Sequence, residues 1–531
     1  MLYLSYNKCA GIPTGTVAKT MARSGGELPV SRMRENRGSM LAPGRAQPAG
    51  SPAAPPFSGW QRLRTPATLT VPAEKGIRQG DRLVLARLAF VLYLTTLSTD
   101  AIRKVTALPS SAVGVVYVIT VVIYIVAIPR AAGRDRAAPR TLPVWLFLLS
   151  LWCLAVALIQ HIPLDMALLG WASYVFFVPL AYVGAELAAD DRLAARVLRV
   201  VAVGGAVVGA GAIASTVLGH SAPPLLAPIV PAAGIHSFNT DNIYLAPSVF
   251  ATAEEASEQL LIALFAWAAL AHLGGGRLRR LPSVLLGVLI AGGLVVTARR
   301  TDIDVAVAGI IAVLVLGRIW TPASSRPRAS RDAGKMRGRL GVVVFIAAAG
   351  AAALIFFVGA STLASFLVSG SAGNRIAFMF SLTSSGSLTG QGPGTSTQGV
   401  AVVGATALRG GMIQGSQAAY VLNGRTFITT EGSLAKTWLE LGIIGMVLYG
   451  AVFWAALAPA IRSLRRMDGV GGALTMLAIA LGVVFLKGHQ SLDNPLIQPL
   501  FWLVVGGIWG RMRAVARGRQ TDMERYVRPM T

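Results

Sequence analysis

Apolar runs of about fifteen to twenty-three residues recur along this chain, and basic residues gather in the short stretches between them. A hydrocarbon core about 30 Å thick needs roughly 20 mostly apolar residues per helical crossing. No water is available there, so each backbone polar group must be satisfied within its own segment, which selects helices. Charged residues make up 13% of the chain, against about 25% in a soluble domain, and mean hydropathy is +0.61. The expected fold class is therefore all-α, a polytopic integral membrane bundle.

About twelve spans are expected, near 83–101, 112–128, 142–159, 165–183, 197–217, 259–273, 281–298, 303–319, 340–358, 434–456, 470–486 and 496–510. Arginine clusters follow every even-numbered span: Arg130 to Arg140, Arg192 to Arg199, Arg277 to Arg280, Arg318 to Arg339, Arg462 to Arg466, and Arg511 to Arg517. Basic loops stay on the cytoplasmic side. That parity puts both termini inside and the odd-numbered exits outside, in an inner (cytoplasmic) membrane. The net charge of +25 is read as topology, not as a nucleic-acid surface.

Five regions follow. Residues 1–80 carry eleven Lys and Arg against three Glu, with much Pro, Gly and Ser and no spanning run; they read as a disordered cytoplasmic tail or as an artefact of the start site, with Met33 and Met40 as alternatives. Residues 81–358 hold spans one to nine, with an outer loop at 218–258. Residues 359–433 form a large outer loop in which short helices are expected. Residues 434–510 hold spans ten to twelve, and 511–531 form a basic cytoplasmic tail. Cys9 and Cys153, the only cysteines, imply no disulfide framework.

The parity sets Arg299 and Arg300, in TARRTD at 297–302, on the outer side, against the usual bias. Guanidinium forks match phosphate oxygens bidentately, so the pair is a candidate clamp for a lipid-linked phosphate. The alternatives are a snorkelling pair, or partners for Asp302 and Asp304. Arg375, early in the large loop, is the candidate second half of the clamp or a plain surface arginine; Arg409 and Arg425 are further loop arginines. Glu431 begins EGSLAKTWLELGIIG, where the loop returns to the membrane. It is read either as a general base or as a helix-start acid. Glu440 is read as structural, or as paired with Lys436 at i,i+4. Glu254, Glu255 and Glu258 read first as helix-start acids, with His236 and Asp241 upstream, and His489 and Asp493 as an extra wall. No Walker A motif, metal-ligand spacing or cofactor motif occurs, so no metal or cofactor is implied.

The order of these pieces resembles the O-antigen ligase and Wzy-type repeat-unit polymerase superfamily of envelope glycosyltransferases. Three stretches carry the likeness: VVTARRTDIDVAVAGIIAVL, NRIAFMFSLTSSGSLTGQGPGTS and EGSLAKTWLELGIIG. The resemblance implies an undecaprenyl-pyrophosphate-linked glycan donor, a glycan acceptor, metal-independent transfer at the outer face, and a flippase and a chain-length regulator as partner classes. It implies pyrophosphate binding by Arg299, Arg300 and Arg375, and base catalysis near Glu431. The chain departs from the family in two places: Arg299 stands where many members have Ser, and Glu431 stands where ligases carry His. Polymerisation, ligation to a lipid or protein acceptor, and flipping without chemistry stay open.

Topology is the expectation most directly tested. A cysteine at Ser384 in an otherwise cysteine-free chain should react with a membrane-impermeant thiol reagent in intact cells. Labelling only after permeabilisation would invert every side assignment.

Overall fold

The computed structural model describes residues 79–106, 114–131, 139–227, 235–238, 241–244, 246–250, 252–273, 281–316, 388–396, 406–414, 417–422, 425–428, 433–464, 467–487 and 494–527. These are predominantly helical. In chain order they form α1 (Gln79–Thr106), α2 (Gly114–Ala131), α3 (Leu142–Ile159), α4 (Leu164–Trp171), a π-turn (Ala172–Phe176), α5 (Leu180–Ala188) and α6 (Asp191–Leu218). Then come the hairpin β1 (Ile235–Phe238) and β2 (Asp241–Tyr244), α7 (Ala253–Leu273), α8 (Leu281–Val296) and α9 (Arg300–Leu316). Strands β3 (Thr406–Gln414), β4 (Gln417–Leu422) and β5 (Arg425–Ile428) precede α10 (Ser433–Ser463), α11 (Gly469–Lys487) and α12 (Gln498–Val527).

Five helical stretches are long and apolar enough to cross a membrane: Arg82–Thr106, Leu142–Ile159, Leu164–Ala188, Asp191–Leu218 and Ser433–Ser463. Gly114–Val126, Pro282–Val296 and Gly469–Phe485 are shorter apolar helices. The expected ninth span, 340–358, lies outside the described residues. One expectation is corrected. Among the described residues of the large loop, 406–414, 417–422 and 425–428 form an antiparallel β3–β4–β5 sheet where short helices were expected. Their β-branched residues Thr406, Ile413, Val421, Thr426 and Ile428 favour strands, although no strict alternation announces them. The basic stretch from 511 continues α12 as far as Val527.

Small residues set the helix spacing. α5 is buried at every position but Tyr182. Its Ala181 and Ala185 face Gly506 and Gly510 of α12, where any Cβ would run into their carbonyl oxygens. Four-residue spacing of small side chains on both helices lets the backbones touch, as helices packed without a hydrophobic driving force require. Around this contact stands an aromatic cluster of Tyr449, Phe453, Phe501 and Trp502, with ring centroids 4.8–5.7 Å apart.

One end of the bundle is tied by arginines. Arg511 of α12 donates to Asp191 Oδ1 at 2.5 Å, to the Ala188 carbonyl at 3.2 Å and through Nε to Asp468 Oδ2 at 3.0 Å. Arg513 reaches Glu186 Oε1 at 2.8 Å. These bonds tie the middle of α12 to the end of α5 and the starts of α6 and α11. The Arg511 side chain is 6% exposed, but Asp191 is 71% exposed, so its loss falls between the buried and surface cases. Arg511→Ala should cost about 2 kcal/mol, read as a lowered thermal midpoint in detergent, with partial rescue by Lys. An unchanged midpoint would show that this end is held by apolar packing alone.

Candidate functional site

Polar residues gather at the opposite end, in two groups. The first is built on helix starts. Thr252 and Glu255 form a capping box for α7: the Thr252 N–H donates to Glu255 Oε2 at 3.2 Å, and the Glu255 N–H donates to Thr252 Oγ1 at 3.3 Å. The triplet Glu254, Glu255 and Glu258 thus opens a helix, as its sequence suggested. The TARRTD stretch is a tight turn between α8 and α9. Thr297 and Ala298 close α8 through their N–H groups, and Ala298 takes φ 54°. A non-glycine residue there costs of order 1 kcal/mol or more and persists only where surroundings enforce it.

Arg299 leaves this turn to form an ion pair with Glu254. Asp302, fully buried in the first turn of α9, accepts from the Ser257 hydroxyl. From α1, buried Asp100 accepts from Arg103 Nη1 at 2.6 Å. Lys104 donates to the Ser248 carbonyl at 2.9 Å. Glu255 lies ahead of the apolar stretch of α7. Burial pushes its pKa well above the usual carboxylate range, and the hydrogen-bonded Asp100 carboxyl adds to the shift. Gln259, one turn further along α7, is 1% exposed and its amide has no hydrogen-bond partner among the described residues. An unmet buried amide costs about 1–3 kcal/mol.

The second group is built on a broken helix. Inside α10, Gly442 takes φ 65° and ψ −165°. The break removes the helical donors of the carbonyls just before it. Replacements come from elsewhere: the Gln391 N–H binds the Leu439 carbonyl at 2.7 Å, the Gly392 N–H binds that of Glu440 at 2.9 Å, and Trp152 Nε1–H binds that of Leu441 at 2.9 Å. The turn GQGPGTS at 390–396 therefore docks by its backbone. Gly390, at φ 77°, lies against the Glu440 carbonyl, where a Cβ would collide. Gln160, the residue that caps α3, ties the Gly390 carbonyl at 3.0 Å.

Beneath this turn, fully buried Glu440 accepts from the Ser396 N–H at 2.8 Å and the Tyr174 hydroxyl at 3.0 Å. Lys436, 2% exposed, donates to Ser173 Oγ at 2.9 Å, with its ammonium 5.1 Å from the Tyr174 ring centroid. Ser173 and Tyr174 belong to the π-turn between α4 and α5, a local distortion often found at functional sites. The two groups meet at the start of α12. Asn494 donates to Glu255 Oε1 at 3.1 Å, and Gln498 donates to the Ser173 carbonyl. The Gln498 N–H binds the Asn494 carbonyl at 3.2 Å, so these side chains are one helical turn apart.

Of the residues singled out from the sequence, Arg299 joins the first group and Glu440 and Lys436 form the centre of the second. Arg300 opens α9 and Arg425 opens β5; their side chains fall outside the described part. Arg375, Glu431, His489 and Asp493 lie outside the described residues. Sequence reasoning passed over Tyr174, Ser173, Ser396, Asn494, Gln498 and the Asp100–Arg103 pair. An i,i+3 acid–base pair ending an apolar run was a readable sign for the last; the others declare themselves only through tertiary contact.

Lys436 and Glu440 share Tyr174 and stand one turn apart, so each offsets the other's burial. Removing one leaves a buried charge without its neighbour, which typically costs about 3–5 kcal/mol. Glu440→Ala should lower the thermal midpoint strongly, and the double variant Lys436→Met/Glu440→Leu should recover most of the loss. Additive losses in this cycle would show that the two side chains are not coupled. No protein-family model matches this chain, and comparison with characterised proteins finds no match.

Proposed function

We propose that the chain is a multi-pass membrane glycosyltransferase that polymerises undecaprenyl-pyrophosphate-linked oligosaccharide repeat units at the outer face of the cytoplasmic membrane, or transfers them to a lipid or protein acceptor. The twelve-span topology, with both termini inside, belongs to the same proposal. One observation carries it. The arginine turn at 297–302, the glycine-rich turn at 390–396 and the start of α10 lie far apart in sequence but join one polar end of the bundle. These are the stretches on which the resemblance rests.

In this reading an acceptor hydroxyl oxygen attacks the anomeric carbon of the donor. The bond from that carbon to the pyrophosphate oxygen breaks, undecaprenyl pyrophosphate leaves, and the hydroxyl proton passes to Glu431. Arg300 and Arg375 hold the pyrophosphate and stabilise the charge that develops on it. Arg299, held by Glu254, fixes the turn that leads into Arg300. The α9 N-terminus adds a favourable dipole for an anion.

A second reading has its own support. α10 is broken at Gly442, and α4 and α5 are joined through a π-turn beside buried Lys436 and Glu440. Discontinuous helices with ionisable groups are a feature of transporters, so a lipid-linked oligosaccharide flippase is the alternative.

Deleting the gene and resolving the surface glycans separates these readings. Collapse of a polymer ladder to single repeat units means polymerase. Full-length polymer retained on its lipid carrier means ligase. Repeat units trapped on the inner leaflet mean flippase. Within the enzyme reading, Glu431→Gln in a normally inserted chain should slow transfer by about 10²–10⁴-fold. Arg300→Lys, which keeps charge but loses the fork, should also impair it. Wild-type polymer from both variants would remove these residues from the mechanism.

A further inference from the structure

α1 and α6 run parallel, and two contacts fix their register. Arg82 lies 4.0 Å from Asp190, and the Tyr93 hydroxyl donates to the Val201 carbonyl at 3.1 Å. Both pairs are offset by 108 residues (190 − 82 and 201 − 93). Arg87 and Arg196 differ by 109 (196 − 87), so they stand at the same depth to within one residue's rise, about 1.5 Å.

Both arginines line a cavity of about 280 Å³ whose walls are otherwise almost wholly apolar. Phe90, Val197, Val200, Leu474 and Val504 form much of its lining, and Tyr93 lines it deeper along α1. Arg87 and Arg196 are exposed, and neither has a carboxylate partner among the described residues. Arg82, Arg511 and Arg513 at this end each have one; Arg192 and Arg199 of α6 do not line the cavity. A pair of uncommitted guanidinium groups at one level, above an apolar slot, is complementary to an amphiphile with an anionic head and a hydrocarbon tail.

We propose that this slot binds an anionic glycerophospholipid from the leaflet in which α1 and α6 begin, with its phosphate on Arg87 and Arg196 and an acyl chain along Phe90 and Val200. The slot is separate from the polar groups described above. Arg87 and Asp100 lie on one helix thirteen residues apart (100 − 87), or about 20 Å along its axis. The lipid is thus a resident ligand, distinct from any donor engaged at the far end.

The test uses the full-length chain in detergent and native mass spectrometry. Phosphatidylglycerol and phosphatidylcholine of the same acyl composition are added separately after delipidation. Phosphatidylglycerol should stay bound at about one per chain and raise the thermal midpoint, while phosphatidylcholine should not. R87Q/R196Q should weaken phosphatidylglycerol binding about tenfold or more. A86W, which fills the slot but leaves both arginines, should do the same. The single variants R87Q and R196Q, at exposed positions, serve if A86W is not monodisperse on gel filtration. Equal retention of both lipids, or wild-type binding by R87Q/R196Q, would overturn the proposal. Full displacement of phosphatidylglycerol by an isoprenyl phosphate would overturn it too, by giving the slot to an isoprenoid lipid.

Discussion

The break in α10 at Gly442 is the constraint on which the polar end depends. A helix interrupted in an apolar setting leaves carbonyls that cost several kcal/mol each if unmet. Here the Gln391 and Gly392 amides and the Trp152 indole meet them. The repair draws a distant segment onto the helix and holds it there. It also sets Ser396 against Glu440 and, through Tyr174 and Ser173, couples α10 to the π-turn. The irregular backbone of three segments is mutually satisfied, as non-helical structure at membrane depth must be.

The two polar groups differ in kind. The group around Arg299 is rich in acids at helix starts, where the macrodipole favours them. Two of its arginines are matched, Arg299 by Glu254 and Arg103 by Asp100, while Lys104 is turned onto the Ser248 carbonyl. Work on an anionic substrate therefore falls, in the proposed reading, to Arg300 and the large loop. The group around Glu440 is more deeply buried and joins one acid and one base through neutral side chains, Tyr174 donating to Glu440 and Ser173 accepting from Lys436. Removing either charge from it is costly, so it suits holding geometry.

Much of this was legible in the sequence, for physical reasons. Length and hydropathy expose spanning helices because lipid leaves the backbone few choices, and Leu142–Ile159 and Asp191–Leu218 fall close to where the pattern puts them. The acids of α7 were readable as a helix start because capping is local. Glycine-rich 390–396 was visible as a cluster, but its docking was not, since it bonds to carbonyls that any residue carries. The β3–β5 sheet was missed because short Gly-containing strands give a weak period. Tyr174 read as one more aromatic in an apolar run; only the π-turn points it at Glu440.

The glycine-rich turn is held almost wholly by main-chain groups: its amides at 391 and 392, its carbonyl at 390, and the absence of a Cβ at Gly390 and Gly394. Leu388, just before it, is 65% exposed, and no described hydrogen bond uses the Gln391 side chain. A segment anchored this way separates fit from identity. Mutation can redraw the chemistry that Leu388 and Gln391 offer to a ligand while the glycines keep the seat unchanged. Such a scaffold can acquire a new specificity in small steps, without first destabilising the helix it rests on.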